Sequence, residues 1–235
     1  MPLTGIARRD EIAAGLARVR ARVAQACAEA GRDPASLTLV VVTKTFPAED
    51  VRHLAALGVG DVGENRDQEA AAKAGACADL GLDWHLVGRL QTNKARSVVR
   101  YAAMVHSVDR SRLAAALGRA AHEAGRRLDA LVQVSLDGDP ERGGALEADV
   151  PGLADEVAGT EGLRLRGVMA VPPLGADPQA SYNRLAALAG EIRELHPGAD
   201  VVSAGMSGDL EAAIAAGATH LRVGAAILGS RPSLG

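Results

Sequence analysis

Short runs of β-branched and aliphatic residues alternate along this chain with longer stretches in which apolar residues recur every three or four positions. The first run is Leu37-Thr38-Leu39-Val40-Val41-Val42-Thr43-Lys44. It lacks the polar/apolar alternation of a half-exposed strand, so it reads as a strand buried on both faces, as in parallel sheets covered by helices. Similar strands are expected at residues 59–63, 84–87, 104–107, 128–136, 163–170, 200–203 and 219–223. Between them helical spacing predicts helices over 47–57, 66–76, 91–99, 110–124, 153–158, 179–195 and 209–216. A further helix over 6–30 precedes the first strand. It carries Ile12, Leu16, Val19 and Val23 on one face and closes at Gly31 and Pro34.

Eight strands, nearly all separated by helices, imply a parallel sheet. Eight βα units favour closure over an open sheet. The expected architecture is therefore α/β: a single (β/α)₈ barrel of the TIM type with an extra N-terminal helix, residues 1–235 forming one domain. The near-echo between HLAALGVGDVGEN and AAIAAGATHLRVG fits repeated βα units. Gly58-Val59-Gly60-Asp61-Val62-Gly63 matches G-x-G-x-x-G, but its glycines follow a helix and run through a strand. A dinucleotide fingerprint needs strand, glycines, then helix.

Composition narrows the function. The 235 residues suit a barrel of about 250 residues. A net charge of −3 gives no pull toward nucleic acid or anionic lipid. Cys27 and Cys77 are isolated and match no metal spacing, which fits a reducing cytosol. No apolar run approaches the ~18 residues of a membrane span, and the first residues do not resemble a signal peptide. A cytoplasmic protein is expected.

In α/β folds functional groups collect past the carboxyl ends of strands. Lys44 stands at such an end, where an amine can lose its proton and attack a carbonyl; a snorkelling lysine is the plain alternative. Met206-Ser207-Gly208-Asp209 follows the seventh strand, and Arg222-Val223-Gly224-Ala225 ends the eighth. Loops after these two strands commonly cradle phosphate, here through the Ser207 hydroxyl and the backbone of Gly224 and Ala225. The competing view is that Ser207 or Asp209 only caps a helix. A Schiff-base lysine beside a phosphate site suggests pyridoxal 5'-phosphate (PLP), and an aldolase acting on a sugar phosphate would use the same parts. Lys73, His53, His122 and His196 read as surface helix residues, Arg142 as a solvated loop charge, and Lys94 as a rim residue.

The chain also resembles the PLP homeostasis protein family and, through it, the barrel domain of alanine racemase. The matching pieces are Val41-Val42-Thr43-Lys44, Gly63-Glu64-Asn65, the run from His85 to Lys94 (HLVGRLQTNK) and His106-Ser107-Val108-Asp109. Further matches are Gly167 to Pro173 (GVMAVPP), Ser203 to Asp209 (SAGMSGD) and Arg222 to Gly229 (RVGAAILG). Ala204 departs from the family, which commonly has Met there. The resemblance implies that Lys44 forms an internal aldimine with PLP. Ser207, Gly224 and Ala225 would hold the phosphate, Arg222 would face the pyridine nitrogen, and Asn65, His85 and Met169 would line the cofactor.

Under that reading the protein keeps PLP sequestered and takes part in intracellular PLP homeostasis, without robust turnover. Apo-forms of PLP-dependent enzymes would be its recipients, with no nucleic-acid or membrane partner, and the barrel would be a monomer or weak dimer. The alternative is a PLP-dependent amino-acid racemase. Racemisation needs a base on each face of the cofactor. The racemases take the second base from a tyrosine supplied with a separate domain, for which this chain has no room. Tyr101 and Tyr182 fall on helical or pre-helical segments. Arg222 has no proton-accepting site, so it disfavours a protonated pyridine nitrogen.

Overall fold

The computed structural model describes residues 5–139 and 141–229. Its elements run α1 (Gly5–Glu29), β1 (Thr38–Val42), α2 (Ala48–Ala56), β2 (Asp61–Glu64), α3 (Asp67–Ala76), β3 (Asp83–Leu86), α4 (Ala95–Tyr101), β4 (Ala102–Val108) and α5 (Ser111–Glu123). They continue with β5 (Leu128–Ser135), β6 (Ala145–Leu146), α6 (Val150–Gly159), β7 (Leu163–Ala170), α7 (Pro178–Leu195), β8 (Val201–Ser203), α8 (Leu210–Ala215), β9 (His220–Val223) and α9 (Ala225–Leu228). Eight strands close in the parallel order β1, β2, β3, β4, β5, β7, β8, β9 and back to β1. This is the expected (β/α)₈ barrel, with α1 as the extra helix.

One local expectation changes, and one short strand is added. The segment expected as a helix over 91–99 starts with a 3₁₀ turn, Thr92–Lys94, and becomes α-helical only at Ala95. The polar loop after β5 returns to the sheet as β6, two residues paired with Val134 and Ser135. Gly144 permits this at φ +104°, because a Cβ there would lie 2.6 Å from Ser135 N. Pro140 of that loop lies outside the described residues.

Burial follows the patterning. All eight residues of β5 are buried, as a strand between a filled lumen and a helical layer must be. Ile12, Leu16, Val19 and Val23 of α1 join the main apolar layer between strands and helices. A Cβ on Gly15 would overlap the Ile227 carbonyl, so this glycine lets α9 lie directly on α1. Arg8 of α1 donates to Asp50 Oδ2 (2.7 Å) and to Leu228 O (3.0 Å), bracing α2 and α9 from outside. A separate cluster of Met104, Leu131, Met169 and Val201 joins β4, β5, β7 and β8. β4 and β8 are not neighbours in the sheet, so this cluster fills part of the lumen. No described helix is long and apolar enough to cross a membrane.

Candidate cofactor site

β1 ends at Val42, and the next residues form a tight, constrained turn. Thr43 N–H donates to Gly63 O (2.9 Å) and its hydroxyl to Glu64 Oε1 (2.6 Å). Phe46 N–H returns to Thr43 O (3.1 Å). Thr45 takes φ +69°, alone in positive φ among the described non-glycine residues. A β-branched residue adopts that conformation only where its surroundings impose it. Here Thr45 N–H donates to Glu69 Oε2 of α3 (3.2 Å). Lys44 is half-buried in this turn.

Lys44 lines a cavity of about 480 Å³ together with Asn65, Ser207, Arg222, Gly224 and Ala225. Six of the eight expected site residues thus meet at the carboxyl ends of the strands. Val42, Phe46, Val87, Val171 and Met206 supply its apolar lining. That combination, a few polar groups in a largely apolar hollow, is typical of small-ligand sites. Gly88 shapes the rim, since a Cβ there would overlap the Asn65 backbone.

The loops after β8 and β9 are joined through Ser207, whose Oγ accepts the Ala226 N–H (3.2 Å). Asp209 stands at the start of α8, but its carboxylate accepts the Met206 N–H (2.6 Å) instead of capping that helix. Gly205 turns the chain at φ +90°, and Gly224 approaches β1 so closely that a Cβ would lie 2.8 Å from Val42 O. The first N–H groups of α9 have no intrahelical acceptor. Ser207, Gly224 and Ala225 therefore bring a hydroxyl and backbone donors to one edge of the cavity.

Arg222 is buried, 5% exposed, with Nη1 donating to Ser203 Oγ (2.6 Å) and Nη2 to Ala170 O (2.9 Å). Burial lowers its pKa to about 10, against the raising influence of Tyr182 and Asp209. It is still a cation at neutral pH. His85 and Met169, expected to line the cofactor, do not line the cavity. Both ring nitrogens of His85 are engaged, with His106 Nε2 (2.9 Å) and Asp61 Oδ1 (3.0 Å). Met169 belongs to the apolar lumen cluster, against which Val171 of the cavity wall packs.

Three surface expectations are corrected. The Lys73 side chain is only 11% exposed, and its Nζ donates to Glu64 Oε1 and Thr43 O, both at 2.7 Å. His53 is half-buried. Arg142 donates to the carbonyls of Val171 (3.1 Å) and Pro172 (2.6 Å), latching its loop to the segment after β7. Glu64, Ser203 and His106 carry much of the polar structure behind the site and were not singled out for it. The signal available was a polar residue within each otherwise apolar strand.

A larger, more open groove of about 570 Å³ is lined by Arg127, Arg164, Arg166 and His196 at the amino ends of β5 and β7. Arg164 and Arg166 are paired there with Asp129, and Arg166 also with Asp200. Among the described residues, no cluster of three or more histidine, cysteine or acidic side chains is arranged to hold a metal.

The sequence profile of the alanine racemase N-terminal domain family matches residues 15–232. A pyridoxal phosphate homeostasis protein of Mycobacterium tuberculosis is 45% identical, with 95% of this chain and 94% of that protein covered. The protein of the same description from Escherichia coli is 36% identical, with 94% and 97% covered. PipY of Synechococcus elongatus, solved with PLP bound, has a TM-score of 0.82 and 37% identity, covering 93% of this chain and all of PipY.

Proposed function

The chain belongs to the pyridoxal phosphate homeostasis protein family, and from that premise we propose that it binds PLP in the Lys44 cavity and serves PLP homeostasis. When bound, PLP supplies an aldehyde that a lysine amine can capture as a Schiff base. Lys44 makes that bond in this reading. Ser207, Gly224 and Ala225 hold the phosphate with a hydroxyl and backbone donors, and Arg222 donates toward the pyridine nitrogen. Asn65 borders the ring. His85 and Met169 act indirectly, through the support of Arg222 and of Val171. The volume and the donor set suit a flat, phosphorylated aromatic aldehyde, because cationic and hydroxyl donors meet apolar walls in one hollow.

One observation carries the choice of a holder over a catalyst. Among the described residues lining the cavity, the only ionisable side chains are Lys44 and Arg222. Lys44 can move a proton on one face. Arg222 donates and cannot accept, so no described residue lining the cavity supplies the second base. Tyr101 is tied to Asp67 Oδ1 (3.3 Å), and Tyr182 accepts the Gly205 N–H (3.1 Å). Neither lines the cavity. PLP-dependent apo-enzymes are the proposed recipients.

The test starts from the protein mixed with PLP. Borohydride reduction and peptide mapping should place the label on Lys44, one of three lysines in the chain. A label mainly on Lys73 or Lys94 would overturn the site. Incubation with L-alanine in deuterated water should give little α-proton exchange. Exchange at the pace of ordinary enzymes, roughly 1 per second or faster, would return the racemase reading to first place. Loaded protein should also restore activity to an apo-enzyme that needs PLP.

A further inference from the structure

The support of Arg222 does not end at Ser203. Ser203 Oγ lies 2.9 Å from His106 Nδ1, and His106 Nε2 lies 2.9 Å from His85 Nδ1. His85 Nε2 lies 3.0 Å from Asp61 Oδ1. His106 is on β4 and Ser203 on β8, which are not adjacent in the sheet, so the chain of contacts crosses the lumen. Asp61 is the first residue of β2, at the amino-end mouth. Its side chain is 33% exposed, whereas His85, His106, Ser203 and Arg222 are buried.

Chemistry gives this chain one direction. A guanidinium only donates, so Ser203 Oγ accepts from Arg222. An ionised carboxylate only accepts, so His85 carries its proton on Nε2. A neutral His85 then accepts at Nδ1, which requires the proton of His106 on Nε2. His106 Nδ1 is left to accept the Ser203 hydroxyl proton. Every link is satisfied, and every donor points from the cavity toward Asp61. In this order a proton added to His85 Nδ1 would set two N–H groups against each other across the 2.9 Å histidine contact, and one added to His106 Nδ1 would take the place of the Ser203 hydroxyl proton. Burial, with His85, Arg222 and His220 nearby, drives the His106 pKa well down, in keeping with a neutral ring.

We propose that Asp61 is a positioning residue for the cavity: through His85, His106 and Ser203 it orients the hydrogen bonds that hold Arg222, so the far mouth of the barrel governs how firmly that guanidinium is presented to a ring-nitrogen acceptor. The hydrogen-bond order can be measured without any ligand. Its effect on PLP rests on the functional reading above.

Two measurements separate these layers. Nitrogen-15 NMR of the ligand-free protein should show His85 and His106 each as the neutral Nε2–H tautomer. Asp61→Ala should mix those tautomers, while Asp83→Asn, which removes an exposed charge from the same mouth, should leave them unchanged. In loaded protein, Asp61→Ala should raise the PLP dissociation constant about three- to tenfold, the scale of one neutral hydrogen bond, and shift the visible band. In a Ser203→Ala background the same substitution should change neither, because the chain is already cut. Unchanged tautomers in Asp61→Ala, or effects of the two substitutions that simply add, would overturn the proposal. Failure of the unsubstituted protein to take PLP on Lys44 would instead sink the functional reading, and the tautomers would still decide the relay.

Discussion

Lys73 Nζ lies 2.7 Å from Glu64 Oε1, and this pair is buried directly behind the strand end that presents Lys44. Glu64 is 1% exposed and also accepts from Thr43, while its other oxygen has no described hydrogen-bond partner. Burial raises the Glu64 pKa above the usual carboxylate range, and hydrogen bonds from Lys73 and Thr43 oppose that rise.

Removing one partner of such a pair strands the other charge. Lys73→Met should therefore destabilise the fold by about 3–5 kcal/mol near neutral pH. A carboxylate whose folded pKa is raised favours folding fully below its unfolded value and loses that contribution as pH rises. The variant lifts the folded value further. Its deficit should be small below about pH 4.3 and grow toward neutrality, as urea melts of both proteins would show. A deficit independent of pH would mean that Glu64 does not feel Lys73.

Thr45 holds a left-handed backbone with an exposed, β-branched side chain. Asn tolerates that conformation better. Thr45→Asn should stabilise the protein by about 1 kcal/mol, with the N–H bond to Glu69 kept. Thermal melts would check it, and lower stability would show that the threonine side chain contributes more than its strain costs.

Two glycines of the cavity should behave oppositely. A Cβ at Gly224 meets the Val42 carbonyl, whereas a Cβ at Gly208 meets no protein atom within 4 Å. Gly224→Ala should cost about 1–3 kcal/mol, as overpacking does, and loosen the contact between β9 and β1. Gly208→Ala should stay within about 0.5 kcal/mol of the unsubstituted protein. Equal effects on denaturant midpoints would contradict the close approach.

The Ser207 hydroxyl joins the loops after β8 and β9 and, in the proposed function, meets the phosphate. A phosphate carries about two negative charges near neutral pH, and charge-assisted bonds are worth roughly 1.5–3 kcal/mol each. Ser207→Ala should weaken PLP binding tenfold or more yet leave Lys44 able to react. Lys44→Ala should still bind PLP but not pyridoxal. Equilibrium dialysis giving equal affinities for the two ligands would remove the phosphate assignment.

His220 governs part of the acid limb. Burial, with His85 nearby, lowers its pKa to about 4. A base with a depressed folded pKa contributes stability above its unfolded value, near 6.5, and loses it as pH falls toward 4. His220→Gln should flatten the stability profile between those limits, by up to about 1.4 kcal/mol per pH unit, the slope of one proton. Urea titrations across that window would reveal it.

Local pattern carried the element order and the position of Lys44. The buried apolar residues of β5 and the Ile12–Leu16–Val19–Val23 stripe of α1 follow from the side-chain pattern, which the chain encodes residue by residue; the burial of Asp129, Gln133 and Ser135 in the same strand does not. Lys44 stood out because a charge terminates an apolar strand, and strand ends face one mouth of a parallel barrel. Periodicity says which face of an element is apolar and where the element stops; it does not say what arrives opposite. Lys73 looked exposed on α3 until the fold placed Glu64 and the Thr43 carbonyl beneath it. His106 and Ser203 are 97 residues apart, and no local signal pairs them. Only closure of the barrel sets β4 across the lumen from β8, and only then do burial and the donor-only guanidinium require a hydrogen-bonded chain between them.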